Sequence, residues 1–288
     1  MAGSAGDPKT PKTITFHPIS RAPREPPLAK GSEKREMAPS MDASGSHDAN
    51  RQYYDAFSAD YERERGKNDP GGYHELLDEL EADYVRRFGQ GRDVLEVGCG
   101  TGLVLLRIRE FARLARGVDL SPGMLEKAKS RGLDVTLGSA TQLPFEAAQF
   151  DVTCSFKVLA HVPEIEAALA EMARVTRPGG MVLAEFYNPY SLRGLLKRLG
   201  PAGKIAPSAN EHDVYTRFDT PARAKALTPP GCVFVGARGV RITIPSANLM
   251  KNAYARRVFR GRERSLCDSP LKRLAGFYVA AYEKRGPG

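Results

Sequence analysis

"DVLEVGCGTG", Asp93 to Gly102, decides how the rest of this 288-residue chain is read. A short apolar run, broken by one acid at Glu96, ends in glycines at alternate positions, Gly98, Gly100 and Gly102. That pattern reads as a buried strand that turns at once into a glycine loop and then into a helix predicted over 103–114. In a doubly wound sheet, the carboxyl end of such a strand is where ligands bind. Glycines at that place let the backbone take conformations closed to other residues and come close to a ligand.

The surrounding chain supplies the sheet that this reading needs. Runs at 93–97, 115–119, 134–137, 150–156 and 180–186 read as strands, and 122–130 and 163–176 read as further helices between them. Strands alternating with helices indicate a parallel sheet covered on both faces. Ser121 before Pro122 is a helix cap followed by proline at the first helical position, and "RPGG" (177–180) reads as the stop between a helix and the next strand. Upstream, Tyr73, Leu76, Leu77, Leu80, Tyr84 and Phe88 recur at helical spacing, as do Tyr54, Phe57 and Tyr61, so two helices precede the first strand. Two late strands are expected near 232–244 and 276–283.

The dinucleotide fingerprint is G-x-G-x-x-G, and here the third glycine comes one place early. Glu96 stands two residues before the first glycine, where a carboxylate suits a cationic ammonium better than a pyrophosphate. Asp119 ends the second strand about twenty residues on, the distance at which an acid bonds the hydroxyls of an adenosine ribose. Adenosine is favoured, with or without phosphates.

Together, "VLEVGCGTG", "VDLSPGML", "GSATQLPFEAAQFDVTCSFKVLAHV" and "RVTRPGGMVLAEF" resemble the successive motifs of class I S-adenosylmethionine-dependent methyltransferases, within them the ubiquinone and menaquinone biosynthesis branch. The resemblance runs from about Tyr53 to Phe186. It implies an α/β, Rossmann-like, seven-stranded sheet with an antiparallel last strand, and S-adenosyl-L-methionine as cofactor. Carried over by position, Gly98, Cys99, Gly100 and Gly102 would approach the methionine part, with Glu96 near its ammonium. Asp119 would hold the ribose, Leu120 and Met124 would line the adenine, and Phe156 would border the methyl donor. One position departs from the pattern: where the family usually has an acid for the adenine amino group, this chain has Gly138-Ser139-Ala140, with the weaker neutral acceptor of Ser139.

Methyl transfer needs a base only when the acceptor must lose a proton. His161, past the fourth strand and before a helix, is the first candidate, the alternative being a capping or packing histidine. Tyr187 and Asn188, at the end of the fifth strand, come next. Tyr54 and Tyr61 are candidates for a lid over the cofactor, with plain helix packing as the other reading. Asn188-Pro189-Tyr190 reads as a turn, because the N-P-P-Y loop of amino methyltransferases follows the fourth strand. The histidines show no metal spacing, and no metal is expected. The acceptor is expected to be a small or lipid-like molecule methylated at O or C. A cofactor-binding protein without catalysis, and an NAD-linked oxidoreductase, are the alternatives.

Composition, at 41% hydrophobic and 27% charged, is that of an ordinary globular chain. No run is long and apolar enough for a membrane span, and the start lacks a signal-peptide core, so a cytoplasmic place is expected. Cys99, Cys154, Cys232 and Cys267 form no C-x-x-C pair and are expected to be free thiols. Residues 1–48 hold seven prolines and no periodicity and read as a disordered tail. The remainder reads as one domain: helices at 49–90, a cofactor core at 91–186, a substrate-side segment at 187–231, and C-terminal strands at 232–288 with a basic insertion. The net charge of +9 lies wholly beyond Ala237. A continuous helix over 249–264 would set Met250, Tyr254 and Val258 against Lys251, Arg256, Arg260, Arg262 and Arg264, a face suited to an anionic membrane surface or to solvent. Nucleic acid is disfavoured, since aromatic residues are sparse among the charges.

Overall fold

The computed structural model describes residues 55, 58, 61, 71–191 and 215–286. The proline-rich tail, Tyr54, Phe57 and most of the 187–231 segment lie outside the described residues. Seven strands form one sheet: β1 (Asp93–Val97), β2 (Leu114–Asp119), β3 (Asp134–Leu137), β4 (Phe150–Ser155), β5 (Thr176–Tyr187), β6 (Cys232–Val240) and β7 (Phe277–Lys284). Their order is β3-β2-β1-β4-β5-β7-β6, with β7 antiparallel to both neighbours and β1 to β5 parallel. The reversal of strand order between β1 and β4 opens a crevice at their carboxyl ends.

β1 is buried along its whole length because both faces of the sheet are covered. Leu95 and Val97 face the cluster under helix α4 (Ile165–Val175), while Val94 faces helix α1 (Tyr73–Gly89). α1 buries Leu76, Leu77, Leu80 and Tyr84, as its spacing predicts. Each fully buried leucine contributes about 2 kcal/mol, so this face is what holds the N-terminal side on the sheet. Helix α3 (Pro122–Ser130) begins as read: the Ser121 hydroxyl accepts from Met124 N at 3.2 Å, with Pro122 at the first position.

Three readings are corrected. Helix α2 (Leu103–Ile108) stops six residues short of the predicted 114, because Leu114 is already paired with Asp93 in the sheet. "RPGG" is not a stop before β5 but lies within it. Thr176 pairs with Phe150 and the ladder resumes at Val152 and Met181, so residues 177–180 bulge out, with Gly179 at φ +76°. The continuous basic helix is broken: Ala247–Lys251 is a 3-10 turn, Asn252 accepts from Ala255 N, and helix α6 runs Ala253–Leu266. Met250 is buried but Tyr254, placed by the spacing in the same apolar row, is 79% exposed. Arg260 and Arg264 are tied to Glu79 of α1 at 2.6 and 2.7 Å. Buried Glu263 accepts from Ile242 N and from the Thr243 hydroxyl, so α6 is anchored on the chain that leaves β6. Helix α5 (Pro221–Ala226) leads into β6.

Candidate cofactor and acceptor site

A cleft open to solvent at one side, with about 1040 Å³ of empty space counting its open mouth, lies at the carboxyl ends of β1, β2 and β4. One wall is the loop after β1. Gly98 and Cys99 donate to Val118 O at 2.7 and 3.1 Å, which pins the loop on β2. Gly98 and Gly102 have φ of +75° and +81°, and a Cβ on them would meet Val158 at 2.2 Å and Leu133 at 2.3 Å. Gly100, at φ +53°, has nothing within 4 Å of its missing Cβ. At Gly98 and Gly102 the place of a Cβ is thus already filled, although Gly98 still lines the cavity, and Gly100 bares backbone to open space.

Asp119 ends β2 in the same wall. Its Oδ2 accepts from Gly100 N at 2.7 Å and its Oδ1 from Ser121 N at 2.9 Å. Burial raises its pKa in spite of these bonds. Two residues ahead of α1 reach this corner: the Asp55 carboxylate accepts from the Ser121 hydroxyl and, at 3.1 Å, from Gly123 N, and Tyr61 borders the cavity. Glu96 lines the floor, 3% exposed, and its Oε2 is buried with no hydrogen-bond partner. Burial, and next the Glu81 carboxylate, push its carboxyl well above the usual range.

Leu120, Met124, Ser139, Ala140 and Phe156 all line the cavity, as does Cys99, whose thiol burial keeps protonated. The Ser139 hydroxyl pairs with Thr141 Oγ1 at 2.8 Å and accepts from Thr141 N at 3.2 Å, so its oxygen is engaged in its own turn. The cofactor set of the sequence reading therefore meets at this cavity, except for Gly102, which faces Leu133 and does not line it. The sequence reading missed Lys157, Val158 and Val162 on the wall, and Asp55 behind it. Lys157 holds φ +60°, a conformation that a lysine in sequence gives no sign of.

The opposite wall carries His161, in a 3-10 turn (Leu159–His161). It caps no helix, since α4 starts at Ile165. Its Nδ1 lies 2.9 Å from Tyr215 O. A carbonyl only accepts, so Nδ1 carries the proton of the neutral ring and Nε2 the lone pair. Burial lowers the His161 pKa, which keeps the ring neutral near pH 7. Tyr187 does not line the cavity: it stands behind His161, edge-on at 5.8 Å, and packs on Phe218 and Phe277. Asn188 is structural, because its Nδ2 donates to Arg273 O and Ala275 O and its Oδ1 accepts from Tyr190 N, which makes 188–191 the expected turn.

The donor set fits an adenosyl amino acid cation: an orphaned buried carboxyl for an ammonium, a carboxylate at the end of β2, and a bare glycine between them. Residues 95–184 match the family model described as "Methyltransferase domain". The chain is 40% identical over 95 residues to the malonyl-[acyl-carrier protein] O-methyltransferase of Serratia marcescens, covering 32% of this chain and 37% of that protein. It is 42% identical over 103 residues to the demethylmenaquinone methyltransferase of Mycolicibacterium paratuberculosis, covering 35% and 44%. The matches thus span less than half the length of either relative. A solved S-adenosylmethionine-dependent methyltransferase from Thermotoga maritima shares the fold, with a TM-score of 0.55 at 20% identity over 82% of this chain and 99% of that one.

The fold is that of the class I S-adenosylmethionine-dependent methyltransferases, and the match to a methyltransferase domain is carried by residues 95–184. Within that class the chain is related to the demethylmenaquinone and ubiquinone branch, and S-adenosylmethionine is the cofactor of its fold, which sets the NAD reading aside. Among the described residues no helix is long and apolar enough to cross a membrane.

Proposed function

We propose that the protein transfers a methyl group from S-adenosylmethionine to O or C of a small or lipid-like acceptor. The observation that carries this reading is a single cavity with the Glu96, Gly100 and Asp119 wall on one side and His161 on the other. Bound there, the cofactor supplies a methyl group activated on a sulfonium. Glu96 Oε2 receives the ammonium, the bare backbone at Gly100 admits the methionine chain, and Asp119 takes the ribose hydroxyls. Leu120, Met124 and Ala140 enclose the adenine, with Ser139 at its edge, and Phe156 and Tyr61 keep water from the reacting centre. His161 Nε2 accepts the proton that the acceptor loses. Alignment of this kind supplies up to roughly 7–11 kcal/mol of rate enhancement.

Exposed Tyr215, whose carbonyl lies against His161, and exposed Phe218, packed on Tyr187 behind it, favour an acceptor with an apolar body. The relatives' names, a malonyl-acyl-carrier and a demethylmenaquinone methyltransferase, point the same way. A rise in melting temperature with S-adenosylhomocysteine but not with NAD, followed by transfer of labelled methyl into an extract of small molecules and lipids, tests the reading. Binding without transfer to any acceptor favours a non-catalytic binding protein. An anionic membrane surface is a second partner that this reading admits, through exposed Lys251, Tyr254, Arg257 and Arg262. Their contribution is about 1 kcal/mol per cation, so failure to co-sediment with anionic vesicles at physiological salt removes it.

A further inference from the structure

On the α1 side of the cavity floor, four carboxylates and one ammonium are buried together. Asp78 and Glu81 come from α1, Glu96 from β1 and Glu185 from β5, and all are at most 4% exposed. Lys157, just past β4, places Nζ 3.0 Å from Asp78 Oδ1 and 2.7 Å from Glu81 Oε2, and its backbone N donates to Glu185 Oε1 at 3.0 Å. Burial, and next the Glu81 carboxylate, push the Glu185 carboxyl well above the usual range. The cluster thus sets four acids and one lysine side by side. Among the described residues no group of three metal-binding side chains is placed to hold an ion. Glu96 is the acid of the cluster that lines the cavity, alongside Lys157, and its buried Oε2 has no partner.

We propose that cofactor binding by this protein is proton-coupled: Glu96 carries a proton in the ligand-free protein and releases it to solvent when the ammonium of an S-adenosyl ligand docks on Oε2. The proposal rests on the methyltransferase reading and deepens it. The bond broken is the Glu96 carboxyl O–H, the proton goes to buffer, and the ion pair formed replaces it. Among the described residues, the charged groups that act on Glu96 are Glu81 and Asp78 from α1, Asp119 from β2 and Lys157 after β4. The three acids favour its protonated form and the lysine opposes it, while burial acts most strongly of all. Cys99 and Cys154, also beside it, are held as neutral thiols by burial and add no charge.

The sign is as follows: a ligand that binds the ionised form gains affinity as pH rises towards the Glu96 titration, by up to about tenfold per pH unit. Calorimetric titration of the full chain with S-adenosylhomocysteine near pH 6, where the ligand amine stays protonated, reads the proton directly. The heat should change between buffers of small and large ionisation enthalpy by the amount that corresponds to about one proton released. Glu81→Gln should move the affinity-against-pH curve to lower pH, and Lys157→Met should move it to higher pH. A merely structural role for these residues would not shift it in opposite directions. If Lys157→Met does not fold, the wild type and Glu81→Gln decide the matter. Binding with no buffer dependence overturns this proposal alone; no binding by the wild type overturns it together with the methyltransferase reading.

Discussion

The cavity wall after β1 is made of backbone, whereas the wall around His161 is made of side chains. The first takes its shape from positive-φ glycines within five residues and from two β2 contacts, Val118 O and the Asp119 carboxylate. The second needs Leu159–His161, Tyr187, Tyr215, Phe218 and Phe277, drawn from more than a hundred residues of chain. A backbone wall fixes which cofactor is admitted, since each of its contacts depends on main-chain conformation. A side-chain wall can change its acceptor by substitution without disturbing the loop opposite.

The sharpest way to break this distinction lies inside the glycine loop. Gly98→Ala places a Cβ at 2.2 Å from Val158 in a left-handed backbone, and should lower stability by about 3 kcal/mol in denaturant unfolding. Gly100→Ala meets no atom within 4 Å and should lose only about 1 kcal/mol for its positive φ, yet fill space the cofactor needs. Equal losses of stability at the two positions would mean that the loop is not divided into a packed and a bare part.

Next in size is His161→Gln, which should reduce kcat by roughly 10²–10⁴-fold while leaving the Kd for S-adenosylhomocysteine unchanged. Because burial lowers the His161 pKa, the base remains neutral below pH 6.5, and the acid limb of the rate profile should fall under that of a free imidazole. An unchanged kcat would show that the side-chain wall holds the acceptor without taking its proton. On the other wall, Asp119→Asn exchanges a charged acceptor of two backbone N–H bonds for a neutral amide. Cofactor affinity should drop about 10–100-fold by calorimetry, with no separate loss in kcat. A kcat effect larger than the binding effect would place Asp119 on the acceptor side instead.

Legibility in the sequence follows the same division. The strand ends at Val97 and Leu137, the Ser121 cap and the glycine loop depend on neighbours a few residues away, and spacing reveals them. The chain after β5 shows what spacing cannot reveal. Tyr254 fits the apolar row of a continuous helix, but Asn252 accepts from Ala255 N and starts a new helix there, which turns Tyr254 outward. Tyr187 sits at a strand end that should face the site, yet packing on Phe277 holds it behind His161. Lys157 escaped notice because its partners, Asp78 and Glu81, lie more than seventy residues upstream and no periodicity links them.

The smallest effect is expected at Ser139. The hydroxyl already accepts from Thr141 N and pairs with the Thr141 hydroxyl, so it has little left for an adenine amino group. Ser139→Ala should therefore change cofactor affinity by less than about twofold. An aspartate has a second oxygen: one can keep the turn bond to Thr141 N while the other, ionised, accepts from the ligand. Ser139→Asp should tighten S-adenosylmethionine binding about fivefold, the worth of one added charge-assisted bond after its cost in desolvation. Weaker binding in that variant would mean that the adenine finds its acceptor elsewhere on the wall, and that the serine belongs to the turn alone.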